Sequence, residues 1–319
     1  MSIAQKNQDR EHREAIQELV DLLSHKYLQG KVKAIKLTMA SLLAGGHVLL
    51  EDIPGLGKTT LALSIAKVLG LSFGRIQCTS DLLPSDITGL SVFDREENRF
   101  RFVKGPIFHH VVLVDEINRA MPKTQSALLE AMEERRVTVD GVTYQLPEPF
   151  MVIATQNPME QVGTFPLPES QLDRFLITTD IGYPPAEMEK AIIRQGSIRE
   201  KLEEIEPQFD GHALLACRHE VEQVYLGEKV ADYLFNLVEA TRSHRLVQTG
   251  ISTRGAISLA SASRANAFLS GRDFVIPEDV QKMLWPVAGH RLLMREDSSE
   301  SARQEVLESL RVDIPVPLV

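Results

Sequence analysis

A short apolar run, His47–Leu50, ends in Glu51-Asp52 and is followed at once by Pro54-Gly55-Leu56-Gly57-Lys58-Thr59-Thr60. Beyond it, Leu61, Ile65 and Leu69 recur at helical spacing. The order is strand, tight glycine turn, helix. Glycines let the backbone fold closely, so that successive N–H groups point into one concavity. The helix start adds partial positive charge there. Such a concavity is built for a polyphosphate. Lys58 is placed to reach its outer phosphates, Thr59 to offer a hydroxyl to Mg²⁺, and Thr60 stands beside it. The strict pattern asks for glycine where this chain has Asp52. Gly55, Gly57, Lys58 and Thr59 carry the phosphate contacts, so that departure matters little.

A second signature lies downstream. The run His110–Val114 is apolar and ends in Asp115-Glu116, some 57 residues after Lys58. Carboxylates at the end of a buried strand are costly without partners or a task. Beside a phosphate loop, Asp115 is the residue to hold Mg²⁺ and Glu116 the general base that polarises the attacking water. A third apolar run, Met151–Ala154, ends in Thr155-Gln156-Asn157-Pro158, which puts an amide at a strand end. Asn157 orients the lytic water or senses phosphate there, or is a turn asparagine before proline. No Asn-Lys-x-Asp signature accompanies the loop, which favours adenine over guanine nucleotide.

Val111–Val114 does not alternate, as expected of a strand covered on both faces by helices. Further apolar runs at Phe73–Ile76 and Phe175–Ile177 alternate with helical stretches, notably 31–43 and 123–134. The spacing predicts an α/β three-layer domain over about residues 30–180. An amphipathic helix over 11–24 precedes it. Two hairpins interrupt it. One has Ser91–Arg95 and Arg99–Val103 around Glu96-Glu97-Asn98. The other has Arg136–Val139 and Val142–Leu146 around Asp140-Gly141. Gly182, Pro184 and Pro185 mark a hinge. Beyond it the pattern is helical over 186–195, 211–223, 228–243, 254–269 and 278–294. The expected division is a nucleotide-binding core over 1–183, with the N-terminal helix and both hairpins, and a helical lid over 184–319.

The 319 residues carry a formal net charge of −9 and two cysteines, Cys78 and Cys217. The charge argues against a broad nucleic-acid footprint. Two cysteines are too few for a disulfide framework and read as reduced thiols. No stretch is apolar and long enough to span a membrane, and the first residues lack a secretory core. A cytoplasmic location is expected. His109-His110 and the set His212, Cys217 and His219 lack the spacing of a closed metal site.

Taken together, Glu51–Thr60, Gly105–Phe108, Val114–Ala120, Ala154–Pro158 and Glu169–Phe175 make the chain resemble the MoxR family of AAA+ ATPases, over roughly residues 10–295. The resemblance implies a parallel sheet of order 5-1-4-3-2 under a helical lid, assembling as a hexameric ring. It implies that Asp115 and Glu116 are the Walker B acids and that Asn157 is sensor 1. Arg174, in Leu-Asp-Arg-Phe, becomes the finger reaching a neighbouring subunit; from its polar segment alone it also reads as a solvated surface arginine. Arg254, in Ser-Thr-Arg-Gly, becomes sensor 2; read from the residues alone it is equally a helix-start arginine packed against an acid. Arg119 is either a second interface arginine or a partner for Glu116. The hairpins match the family's helix-2 and pre-sensor-1 inserts.

The function so implied is ATP hydrolysis with Mg²⁺ by a chaperone-like machine that matures or activates a protein partner, commonly one carrying a von Willebrand A domain. A magnesium-chelatase-like motor subunit shares every motif above. A nucleic-acid motor and a non-hydrolysing scaffold are the remaining alternatives. Intact Lys58, Asp115, Glu116 and Arg174 argue against the scaffold.

Overall fold

The computed structural model describes residues 3–159, 162–195, 202–203 and 205–318. Helix α1 (Ile3–Leu22) runs into a wider turn at Leu23–Tyr27, and α2 (Val32–Leu43) follows. The helix expected over 11–24 is thus longer at its start. Then come β1 (Val48–Glu51), α3 (Lys58–Val68), β2 (Phe73–Gln77), the short α4 (Pro84–Thr88), and the hairpin β3 (Gly89–Asp94) and β4 (Arg99–Lys104). Next are β5 (Val111–Asp115), α5 (Pro122–Glu134), the hairpin β6 (Arg136–Val139) and β7 (Val142–Gln145), β8 (Met151–Gln156), α6 (Glu169–Leu172) and β9 (Ile177–Thr179).

The central sheet has the order β2-β5-β8-β1-β9, with every neighbouring pair parallel. Counting only its own five strands in chain order, this is 5-1-4-3-2, as the resemblance implied. Parallel strands all end on one edge of the sheet, so the segments after β1, β5 and β8 gather there. Both faces are covered. Val48, Leu50, Val111, Leu113, Met151 and Ile153 enter one apolar cluster. Leu49, Val112, Val114, Val152 and Ala154 enter another, with Leu128, Leu129 and Met132 of α5.

Beyond β9 the chain continues as α7 (Ala186–Gln195), α8 (Gly211–Gln223), α9 (Glu228–Ser243), β10 (Val247–Thr249), α10 (Thr253–Leu269), α11 (Pro277–Ala288), β11 (Leu293–Met294) and α12 (Glu300–Asp313). The apolar faces of α8 to α12 belong to the same cluster that covers one side of the sheet. Ile16, Leu19 and Leu23 join it too, so the first helix packs under the C-terminal helices.

Three details differ from the sequence reading. The last strand lies at 177–179, not 175–177, because the Phe175 carbonyl accepts from Arg291 (2.8 Å) and from His290 (3.1 Å). The helix expected over 278–294 stops at Ala288, and Leu293–Met294 instead pairs antiparallel with Val247–Thr249. The helix Glu300–Asp313 was not anticipated. Ser299 caps it by accepting from the Ala302 amide at 3.2 Å.

Both hairpins form where expected. At the second turn, Asp140 and Gly141 have φ of 51° and 78°, the left-handed pair a two-residue connection requires. Phe102 of β4 stacks on Tyr144 of β7 with ring centres 4.1 Å apart, so the two projections support each other. Among the described residues no helix is long and apolar enough to cross a membrane.

Candidate active site

The loop between β1 and α3 sits at the carboxyl edge of the sheet. Gly55 and Gly57 have φ of +90° and +95°, a conformation that side chains resist. No atom lies within 4 Å of where a side chain on Gly55 would begin, so the loop's outer face is open. Lys58 opens α3, and Thr59 and Thr60 lie in its first turn. The Lys58 ammonium donates to the carbonyl of Asp52. Burial lowers the Lys58 pKa, and the nearby carboxylates of Asp52, Asp115 and Glu116 pull it back up. Those opposing influences place all three acids around one lysine. An open ring of backbone donors with a half-buried ammonium fits a polyphosphate.

Asp52, at the position where glycine was expected, has its own work. Its Oδ2 accepts from the amides of Gly182 at 2.7 Å and Ile181 at 3.0 Å. Its Oδ1 accepts from the Ile53 amide at 2.9 Å. The carboxylate therefore ties the start of the phosphate loop to the segment after β9. Lys31 donates to the Gly182 carbonyl from the other side.

Asp115 closes β5 and is 8% exposed. Its Oδ2 accepts from Arg75 Nε at 2.7 Å, across the β2–β5 pair. Its Oδ1 accepts from Thr155 Oγ1 at 3.4 Å. Each carboxylate oxygen keeps a further lone pair. Glu116 follows in the left-handed region, with φ 56°. Its amide donates to Thr155 Oγ1 at 2.9 Å. Its Oε2 accepts from Gln77 Nε2 and from Arg119, both at 3.1 Å. Arg119 is thus a partner for Glu116 within this chain. Asn157 lies just past β8, and its Oδ1 accepts from the Met159 amide at 3.1 Å, as in a turn.

Arg75, Gln77 and Thr155 were not singled out from the sequence. Nor was the cavity on the other side of the loop, about 640 Å³, walled by Tyr27, Leu28, Pro54, Ile181, Met188 and Ile192. Gly55, Gly57 and Thr60 line it as well, whereas Lys58, Asp115 and Glu116 stand beyond the loop. An apolar slot next to a phosphate cradle suits a flat base.

Arg174 and Arg254 are elsewhere. Arg174 Nε meets Glu133 Oε2 at 3.1 Å, and Arg254 donates to Glu133 Oε1. Glu133 is next to last in α5. The preceding carbonyl, of Met132, meets the Nε2 of His47, which leads into β1. The two arginines therefore lie toward the amino edge of the sheet, opposite Lys58. Asp173, beside Arg174, is held by buried Arg291 at 2.6 Å. His109 and His110 have ordinary partners: His109 meets the Pro106 carbonyl, and His110 meets Ser72 Oγ at 2.7 Å.

Residues 47–177 match the family described as "ATPase family associated with various cellular activities (AAA)", and residues 239–310 match the AAA lid domain. The chaperone MoxR1 of Mycobacterium tuberculosis is 37% identical over 91% of this chain and 79% of its own length. The chain belongs to the MoxR family of AAA+ ATPases. Its enzymatic reaction is ATP hydrolysis, and ATP with Mg²⁺ is what such a domain binds. The uncharacterized protein YeaC of Bacillus subtilis is 43% identical, with 91% of this chain and 92% of that protein covered. A crystal structure from Cytophaga hutchinsonii, described as a candidate ATPase, superposes with a TM-score of 0.91 at 34% identity. That match covers 99% of this chain and 98% of the other.

Proposed function

We propose that this chain hydrolyses Mg²⁺-ATP at the boundaries of a ring of identical subunits, hexameric by family resemblance, and uses the turnover as a chaperone-like machine on a protein partner. A partner carrying a von Willebrand A domain is the first to test. The observation that carries this reading is a separation. Lys58, Asp115 and Glu116 gather at the carboxyl edge of the sheet, while Arg174 and Arg254 meet on Glu133 at the other edge. One subunit holds both halves of a charge set and cannot close them on itself. Head-to-tail contacts between asymmetric subunits close them repeatedly.

In this reading the base lies in the cavity beside Tyr27 and Met188, and the loop amides with Lys58 hold the phosphates. Thr59 and Asp115 offer the oxygen donors for Mg²⁺, which supplies positive charge against the phosphate oxygens. Glu116 takes the proton of the attacking water. Gln77 and Arg119 fix its carboxylate, and Thr155 fixes its backbone. Asn157 borders the same place from β8. Phosphoryl transfer builds charge on equatorial oxygens. Arginines arriving from a neighbour at that moment accelerate it by roughly 10³–10⁵. Support for a protein client comes from the family, and the acidic net charge is compatible with it.

The test is Mg²⁺-ATP hydrolysis measured over a wide range of protein concentration. Specific activity should climb as subunits assemble. Activity per subunit that stays constant down to isolated monomers would overturn the shared-site reading.

A further inference from the structure

Glu133 projects from the last turn of α5 and uses both carboxylate oxygens on arginines from distant parts of the chain. Oε2 meets Arg174 Nε, just before the edge strand, at 3.1 Å. Oε1 accepts from Arg254, in the first turn of the helix Thr253–Leu269. The three side chains are 34%, 27% and 54% exposed, so the cluster faces outward while remaining partly shielded. It opens on a groove of about 460 Å³, whose charged lining is Arg135, Arg174, Arg254 and Arg291 against Glu133 and Asp173.

Two of those arginines are otherwise engaged. Arg135 donates to the carbonyls of Phe150 and Gly45, and Arg291 to Asp173 and to backbone carbonyls. Arg174 and Arg254 therefore supply the groove's available positive charge. Two guanidiniums this close repel each other, and each has many rotamers. A shared anion removes both problems. The hydrogen bond from Arg254, followed by the fields of both arginines, holds the Glu133 carboxyl below its usual range despite some burial, so it stays charged near neutrality.

We propose that Glu133 is a positioning residue: it clamps Arg174 and Arg254 into one preset pair aimed at the nucleotide of a neighbouring subunit. This rests on the reading above that both arginines act across a subunit boundary. Glu133 itself touches no reacting atom. It joins an arginine of the sheet domain to an arginine of a C-terminal helix, so the pair is correctly spaced only when those two parts are in register. The clamp acts on the transition state, where charge placement matters, rather than on ATP binding, which the opposite edge of the sheet performs.

Steady-state Mg²⁺-ATP hydrolysis of the assembled protein tests it, with Glu133→Gln, Glu133→Asp, Arg174→Ala and Arg254→Ala compared in one assay. Assembly is followed by sedimentation. Glutamine keeps the shape and loses the charge and one acceptor. It should lower kcat by about 10- to 100-fold, the scale of a small misplacement, with KM within about twofold. Aspartate keeps the charge and should recover part of the loss. If Glu133→Gln matches or exceeds wild-type kcat while the arginine variants are inactive, the clamp is wrong and the shared site stands. If Glu133→Asp recovers nothing, or if Glu133→Gln no longer assembles, Glu133 is an ordinary structural or interface residue and the clamp is equally wrong. If Arg174→Ala and Arg254→Ala both turn over normally, the shared-site reading itself fails.

Discussion

The backbone amide of Glu116 donates to the hydroxyl of Thr155 at 2.9 Å, and that hydroxyl in turn faces Asp115 Oδ1 at 3.4 Å. One side chain on β8 thus braces both acids at the end of β5. The brace matters because Glu116 sits at φ 56°, a conformation costing a residue other than glycine roughly 1–3 kcal/mol. Thr155→Val keeps the shape and leaves the Glu116 amide without its acceptor. Stability should fall by about 1–3 kcal/mol, and kcat by about tenfold or more as the carboxylate drifts. Denaturant unfolding and steady-state turnover read the two effects. Unchanged turnover would show that Thr155 does not position Glu116.

Glu116→Gln removes the base but keeps an oxygen for Gln77 Nε2. The phosphate loop, Lys58 and the base cavity are untouched. ATP affinity should persist while hydrolysis drops by roughly 10²–10⁴, the usual worth of a general base. Equilibrium binding and single-turnover hydrolysis on the same sample check this. Hydrolysis at the original rate removes Glu116 from the role.

Arg174→Ala should leave binding largely intact and lower turnover by roughly 10³–10⁵. The sharper measurement is mixing. An Arg174→Ala subunit retains Glu116, and a Glu116→Gln subunit retains Arg174. In a head-to-tail ring, one type of boundary between them has both residues intact. Mixing two inactive proteins should restore part of the activity. If the mixture stays inactive after assembly is verified, Arg174 does not act across the boundary.

The parts of this site legible in the sequence are those encoded by neighbours in the chain. The glycine loop, the acids ending Val111–Val114 and the Asp140-Gly141 turn each announce themselves within a few residues. Sheet order came from family resemblance, not from periodicity. Arg75, Gln77 and Thr155 stayed hidden because their contacts depend on strand register: Gln77 pairs with Asp115 across the β2–β5 ladder. The base cavity joins the turn after α1, the loop, the segment after β9 and α7, and nothing local shows that these four meet. Glu133 reads as an ordinary helix-surface acid until the fold brings Arg254 to it. The strand expected at 175–177 was misplaced by its own apolarity. Phe175 is buried, yet its carbonyl bonds to Arg291 rather than to a neighbouring strand.

His47 makes a pH prediction. It is buried, its Nδ1 accepts from the Val152 amide at 2.9 Å, and Nε2 faces the Met132 carbonyl at 3.2 Å. The neutral ring protonated on Nε2 satisfies both. Burial first, and Arg135 next, push its pKa down to about 3. His290 is driven the same way by burial and Arg291. Below pH about 6.5 the unfolded chain takes up these protons and the folded chain does not. Stability is therefore full above that pH and declines as the pH falls toward about 3. The slope approaches about 1.4 kcal/mol per pH unit for each such histidine. Glu51, raised by burial, works in the opposite sense nearer its own range. Unfolding midpoints between pH 7 and 5 measure the decline, and His47→Gln should flatten it. An unchanged slope in that variant would remove His47 as a source.

Asp52 gives the last prediction, because it stands where the strict phosphate-loop pattern has glycine. Restoring glycine there should harm the protein. The Asp52 carboxylate holds the amides of Ile181 and Gly182 and lies near Lys58. Glycine leaves both amides without their acceptor and frees the strap that walls the base cavity through Ile181 and Tyr183. Each lost bond to a charged acceptor is worth about 1.5–3 kcal/mol. The loss falls on the loop and the cavity together. Asp52→Gly should therefore lower the unfolding midpoint and raise KM for ATP more than it lowers kcat, since Glu116 and the arginines are untouched. Asp52→Asn keeps an oxygen for the amides and should retain most of the stability. If Asp52→Gly binds ATP as well as the parent, the Asp52 tether is not what shapes the nucleotide site.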